Sequence, residues 1–143
     1  MRQKVLFIFL LGMVLFSCNT ETSKKEKKKE KLVMYVPSEM TTLMREMADF
    51  QEKSKKQIEN GELPLSFPEK YKGIHTAELS DQFEHDASFK AFTDMYYKNI
   101  ESLDNSTKEN AKQNFNTTIQ TCIACHETTC HGPISRIKKM LIK

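Results

Sequence analysis

Residues 106–126 read Ser106-Thr107-Lys108-Glu109-Asn110-Ala111-Lys112-Gln113-Asn114-Phe115-Asn116-Thr117-Thr118-Ile119-Gln120-Thr121-Cys122-Ile123-Ala124-Cys125-His126. Ser106-Thr107-Lys108-Glu109 has the form of a capping box. Behind it Ala111, Phe115, Ile119, Cys122 and His126 fall at helical spacing, which predicts a helix with one apolar face. Toward the N-terminus, Phe89, Phe92, Tyr96, Ile100 and Leu103, with Met95 beside them, make a second stripe over about 86–103, capped by Asp86 or Ser88. Before that, Gly61, Pro64, Pro68 and Gly73 break any long helix, so 61–87 is expected to be a connection with one short turn, long enough that it must pack against something. Pro37-Ser38-Glu39 opens a first helix over 38–60, whose stripe is Met40, Leu43, Met44, Met47, Phe50, Ser54 and Ile58 and whose C-cap is Asn60-Gly61. Beyond the quoted stretch Gly132-Pro133 interrupts, and Ile134, Ile137 and Leu141 indicate a short last helix with Arg136, Lys138 and Lys139 outside. The expected fold class is all-α, a small antiparallel bundle of three main helices plus a short C-terminal helix.

The composition agrees. Four Gly, no Trp and no alternating run of β-branched residues argue against a sandwich or barrel. The net charge of +3 hides unlike segments: residues 1–17 carry two basic side chains and no acid, 18–31 carry six Lys and three Glu, and 32–143 carry 14 basic and 16 acidic side chains. The expected domain is therefore slightly acidic, which excludes the basic face of a nucleic-acid-binding protein. No paired carboxylates, nucleophile motif or phosphate loop point to an enzyme.

Met1-Arg2-Gln3-Lys4 followed by the 12-residue apolar run Val5–Phe16 and Ser17-Cys18 reads as an export signal over 1–17. Cys18 at the cut resembles the acylated cysteine of a bacterial lipobox, with Phe16 bulkier than usual there; an ordinary secretory peptide is the alternative. Residues 18–36, with the Lys/Glu run 24–31, read as a solvated tether, and 37–143 as the domain. No apolar stretch reaches the roughly 20 residues that a membrane-spanning helix needs.

Cys122-Ile123-Ala124-Cys125-His126 is C-x-x-C-H, the covalent attachment pattern of a c-type haem. Positions i, i+3 and i+4 share one helix face, so two thiols can form thioethers to porphyrin vinyl groups while the imidazole reaches the iron. Such attachment occurs outside the cytoplasm, where the export signal sends the chain. Three other readings of the sulfurs stand beside it. A redox dithiol lacks its usual βαβ setting. A zinc site would draw on Cys122, Cys125, Cys130 and His131 or His126, and a disulfide would join Cys125 to Cys130. Met40, Met44 and Met47, at i, i+4 and i+7 of the first helix, are candidates for a sixth iron ligand, with Met44 preferred; core packing is the alternative role. His75, His85 and His131 are rival ligands.

With its attachment motif near the C-terminus, a helical bundle and an axial candidate on the first helix, the chain resembles the class II c-type cytochromes, the cytochrome c-prime group. By that resemblance Cys122 and Cys125 match the thioether cysteines and His126 the proximal ligand. Leu43-Met44, about 17 residues before Asn60-Gly61, matches the first-helix segment that carries Met in low-spin members and an apolar residue in five-coordinate ones. The family has four long helices; here the second is reduced to part of 61–87, and the chain runs on past the motif.

The expectation is a monohaem c-type cytochrome passing single electrons between redox protein partners. It would be lipid-anchored in a bacterial cell envelope facing the periplasm, with one covalent haem c, no nucleic-acid partner and a homodimer admitted. Its rivals are a five-coordinate haem protein binding nitric oxide or carbon monoxide and a zinc-stabilised helical module.

Overall fold

The computed structural model describes residues 34–80 and 82–143. The expected signal over 1–17, the Cys18 acylation site and most of the tether lie outside the described residues. Among the described residues there are α-helices, one 3₁₀ helix and no strand, so the domain is all-α. No helix among them is long and apolar enough to cross a bilayer.

Helix α1 spans Glu39–Glu59. Ser38 caps it by accepting from the Thr41 N–H at 3.2 Å, and Glu39 places a negative charge in the first turn, where the helix dipole favours it. Its far end closes in a Schellman turn. The Glu62 N–H donates to the Gln57 carbonyl, the Gly61 N–H to Ile58, and Gly61 takes φ +77°, a conformation that a side chain would strain.

The connection that follows packs against α1 over its described residues. It carries a 3₁₀ helix, Glu69–His75, and buries Tyr71, Ile74 and Ala77. Phe67 and Tyr71 meet Phe50 of α1 edge-on, with ring centroids 6.2 and 5.6 Å away. The Met40 N–H donates to the Glu78 carbonyl, and the Glu78 N–H donates back to the Glu39 carboxylate, both at 2.9 Å. These contacts pack the connection against α1, as its length led one to expect.

Helix α2, Ala87–Asp104, is capped by Asp86, which accepts from the Phe89 N–H at 2.7 Å. It packs most extensively on helix α3, Ala111–Thr128. A turn over 108–110 precedes α3, and the reach back to the Thr107 N–H comes from the Asn110 side chain (2.8 Å) three residues on. The α3 face that packs inward is Ala111, Phe115 and Ile119, all with no exposed surface. Its buried threonines cost little: Thr118 and Thr121 donate to the carbonyls one turn back, at 3.0 and 3.2 Å.

Helix α4, Ile134–Met140, buries Ile137 and Met140 and packs on α3 and α1. The Lys55 ammonium of α1 donates to the Lys139 and Leu141 carbonyls at its end. The Asn116 amide both donates to the Ile142 carbonyl and accepts its N–H, each at 2.9 Å. Together these contacts hold the C-terminus against the body of the domain.

Candidate functional site

Helices α1, α2, α3 and α4 leave between them a cavity of about 600 Å³ with largely apolar walls. That lies inside the roughly 300–1,000 Å³ typical of cofactor and small-molecule sites. Cys122, Cys125 and His126 all line it, as the i, i+3, i+4 spacing on α3 requires. Met40, Met44 and Met47 of α1 line it too, Met40 and Met47 buried and Met44 less so. Ile119, Phe89, Ile137 and Met140 supply further apolar wall.

Cys122, Cys125 and Cys130, the cysteines among the described residues, are free thiols. Burial, and then the neighbouring Cys125, push the Cys122 thiol up to about 12. Its sulfur also donates to the Thr118 carbonyl at 3.3 Å. Burial raises Cys125 as well, followed by the charges of Asp86 and Cys130. Both are therefore uncharged thiols at neutral pH, inert as nucleophilic thiolates and at home in an apolar wall.

His126 is held by its own turn. Its Nδ1 lies 2.7 Å from the Cys130 carbonyl oxygen. A carbonyl can only accept, so the contact fixes the ring proton on Nδ1 and leaves Nε2 as the lone-pair nitrogen. A carbonyl accepting from the far ring nitrogen orients a metal-binding imidazole and raises its basicity. Cys130 also lines the cavity, whereas His131 is exposed and does not. The rival histidines stand elsewhere. His75 stacks on Tyr97 (4.9 Å) and meets the Thr93 hydroxyl, and His85 is exposed against Phe89. Neither lines the cavity.

Among the described residues no three His, Cys, Asp or Glu side chains converge as a ready metal cluster. The donor set fits a haem c: two thiols one turn apart, an adjacent imidazole with a free Nε2, and a cofactor-sized apolar space with a thioether-bearing helix on another side.

Arg136 is exposed, as its position on the outer side of the last helix predicts, and it is paired. Its guanidinium spans Asp49 at 2.7 Å and Glu52 at 2.9 Å on α1, tying α4 to α1 at the rim of the cavity. Lys138 pairs with Glu127 at 3.3 Å. Sequence reasoning missed Gln51, which extends the 40, 44, 47 series by one helical step into the cavity wall. The spacing could have found it; its polarity kept it out of an apolar stripe. The role of the Cys130 carbonyl carries no sequence signal at all.

Fold and site together define a small all-helical domain built round a cofactor-sized apolar cavity walled by thiols, an imidazole and thioethers. Compared with family models, curated proteins and solved structures, the chain finds no match.

Proposed function

We propose that this chain is a monohaem c-type cytochrome of the class II, cytochrome c-prime-like kind, carrying single electrons between redox protein partners. The observation that carries the reading is that Cys122, Cys125 and His126 share the wall of one 600 Å³ apolar cavity that α1 also lines with Met40, Met44 and Met47. Cys122 and Cys125 would hold the haem through thioethers, and His126 Nε2 and the Met44 thioether would ligate its iron. The bundle is read as antiparallel, with the 3₁₀ segment of 61–87 standing where the family has its second helix. The export signal and Cys18 supply a lipid anchor that keeps the domain at the outer side of a bacterial membrane, and several acyl chains on one cysteine anchor far more firmly than one.

When bound, haem c supplies a one-electron iron couple. The chain's own residues do the rest. The Cys130 carbonyl keeps the His126 proton on Nδ1 and the ring in place. The apolar wall excludes water, which sets the local dielectric and with it the potential. The Arg136 pairs hold α4 against α1 without burying a charge.

The test is a pyridine haemochrome spectrum with intact mass on protein matured with the haem-attachment machinery. One haem joined by two thioethers is expected; stoichiometric zinc without covalent haem would overturn the reading. A ferrous spectrum unchanged by carbon monoxide is expected of an electron carrier. For the sixth position, the near-infrared charge-transfer band should disappear in Met44→Ala, and an unaltered band would remove Met44 from the site.

A further inference from the structure

One polar feature of the cavity wall is used by neither thioether attachment nor axial ligation. Gln51 on α1 and Tyr96 on α2 are 3% and 4% exposed and both line the cavity. Gln51 Nε2 donates to the Tyr96 hydroxyl oxygen at 3.3 Å, and Gln51 Oε1 has no partner among the described residues. A donor inventory is informative here. In this amide orientation the Tyr96 O–H and the second Gln51 N–H have no acceptor among the described residues. With the amide turned over, the phenol donates to Oε1, and both amide N–H groups are left over instead. Either way a buried donor remains, in a wall that is largely apolar. Buried donors in folded proteins find acceptors, so the acceptor has to come from what occupies the cavity.

We propose that the Gln51–Tyr96 pair is a hydrogen-bond donor site for an oxygen acceptor carried by the cavity's ligand. The inference rests on the haem reading above. With His126 and Met44 on the iron the source is a propionate carboxylate of the porphyrin; the five-coordinate alternative offers the same chemistry through an oxygen-bearing small molecule on the iron. Burial first, and then the nearby Cys122, hold the Tyr96 phenol well above its usual range, so it stays a protonated donor across the physiological range.

The experiment compares wild type, Tyr96→Phe and Gln51→Leu as mature, haem-loaded full chains. Tyr96→Phe keeps the ring and its packing and removes only the O–H; Gln51→Leu keeps the volume and removes the amide. Haem content by haemochrome and helicity by circular dichroism come first, and a chain without covalent haem overturns this inference together with the reading it rests on. In haem-loaded protein, the oxidised-minus-reduced infrared spectrum reads the propionate carboxylate bands. The ferrous carbon monoxide adduct reads the C–O stretch. A shift of the carboxylate bands in either variant assigns the acceptor to a propionate. A rise of the C–O stretch assigns it to the iron ligand. Transfer of wild type into heavy water should move the same band, which keeps the test independent of any variant's folding. Haem-loaded protein in which neither band moves, with no carbon monoxide adduct counted as no movement, overturns the proposal and leaves the cytochrome reading intact.

Discussion

Phe115 and Ile119 sit one turn apart on α3 with no exposed surface, yet their truncation should cost different amounts. Phe115 is buried away from the cavity, and Ile119 forms part of its wall. Truncating Phe115 to Ala opens a new void in the core, and the cost should lie near the middle of the phenylalanine range, about 4 kcal/mol. At Ile119 the lost volume merges with space that already exists and that the bound cofactor's apolar edge can meet, which points to the low end, about 2 kcal/mol. A domain of this size has roughly 5–15 kcal/mol in hand, so the first change removes a large share of it and the second a modest one. In melting temperature that is about 15–30 °C against about 8–16 °C for a domain near 100 residues. Urea denaturation of haem-loaded wild type, Phe115→Ala and Ile119→Ala, compared at constant m-value, measures the difference. If Ile119→Ala proves as costly as Phe115→Ala or costlier, Ile119 does not border a usable cavity and the site geometry is wrong.

Other expectations follow from particular contacts. Tyr97 is raised to about 12, chiefly by its burial, and Tyr71 and Tyr96 are raised as well. An unfolded phenol ionises near 10 while the folded ones keep their protons, so the unfolded state binds fewer protons above that value and stability should fall between pH 10 and 12. In Tyr35→Phe protein, which removes the one exposed phenol among the described residues, phenolate absorbance should therefore appear together with loss of helical dichroism; Tyr71, Tyr96 or Tyr97 titrating near 10 in an intact helix would contradict their burial. Replacing Arg136 by Ala breaks two half-exposed ion pairs and should cost about 1 kcal/mol or less, an effect that high salt erases; a large, salt-independent loss would mean the pairs do more than pin α4. Asp86→Ala removes the α2 cap and should lower stability by about 1 kcal/mol in thermal melts without altering the visible spectrum. His126→Ala should retain covalent colour through Cys122 and Cys125 but lose the wild-type axial signature in magnetic circular dichroism; retention of that signature would assign the ligand elsewhere.

Sequence by itself determined what depends on local chemistry and periodicity. Ser38 and Asp86 cap because a short oxygen-bearing side chain at that position can meet the first free N–H groups. Asn60-Gly61 ends α1 because glycine tolerates a positive φ. The face shared by Cys122, Cys125 and His126 follows from 3.6 residues per turn, and so does the series Met40, Met44, Met47. The helix count of the domain was legible for the same reason. Tertiary structure alone decided which faces meet across long stretches of chain. It brought the α1 methionines and the α3 thiols into one cavity, and it used the 61–87 connection as aromatic packing against Phe50. It also placed the Gln51 amide beside the Tyr96 phenol, 45 residues away, and engaged Arg136 with two carboxylates of α1. None of these leaves a periodic trace, because a contact between distant residues depends on how helices pack, and packing is set by the summed fit of many side chains rather than by any one local pattern.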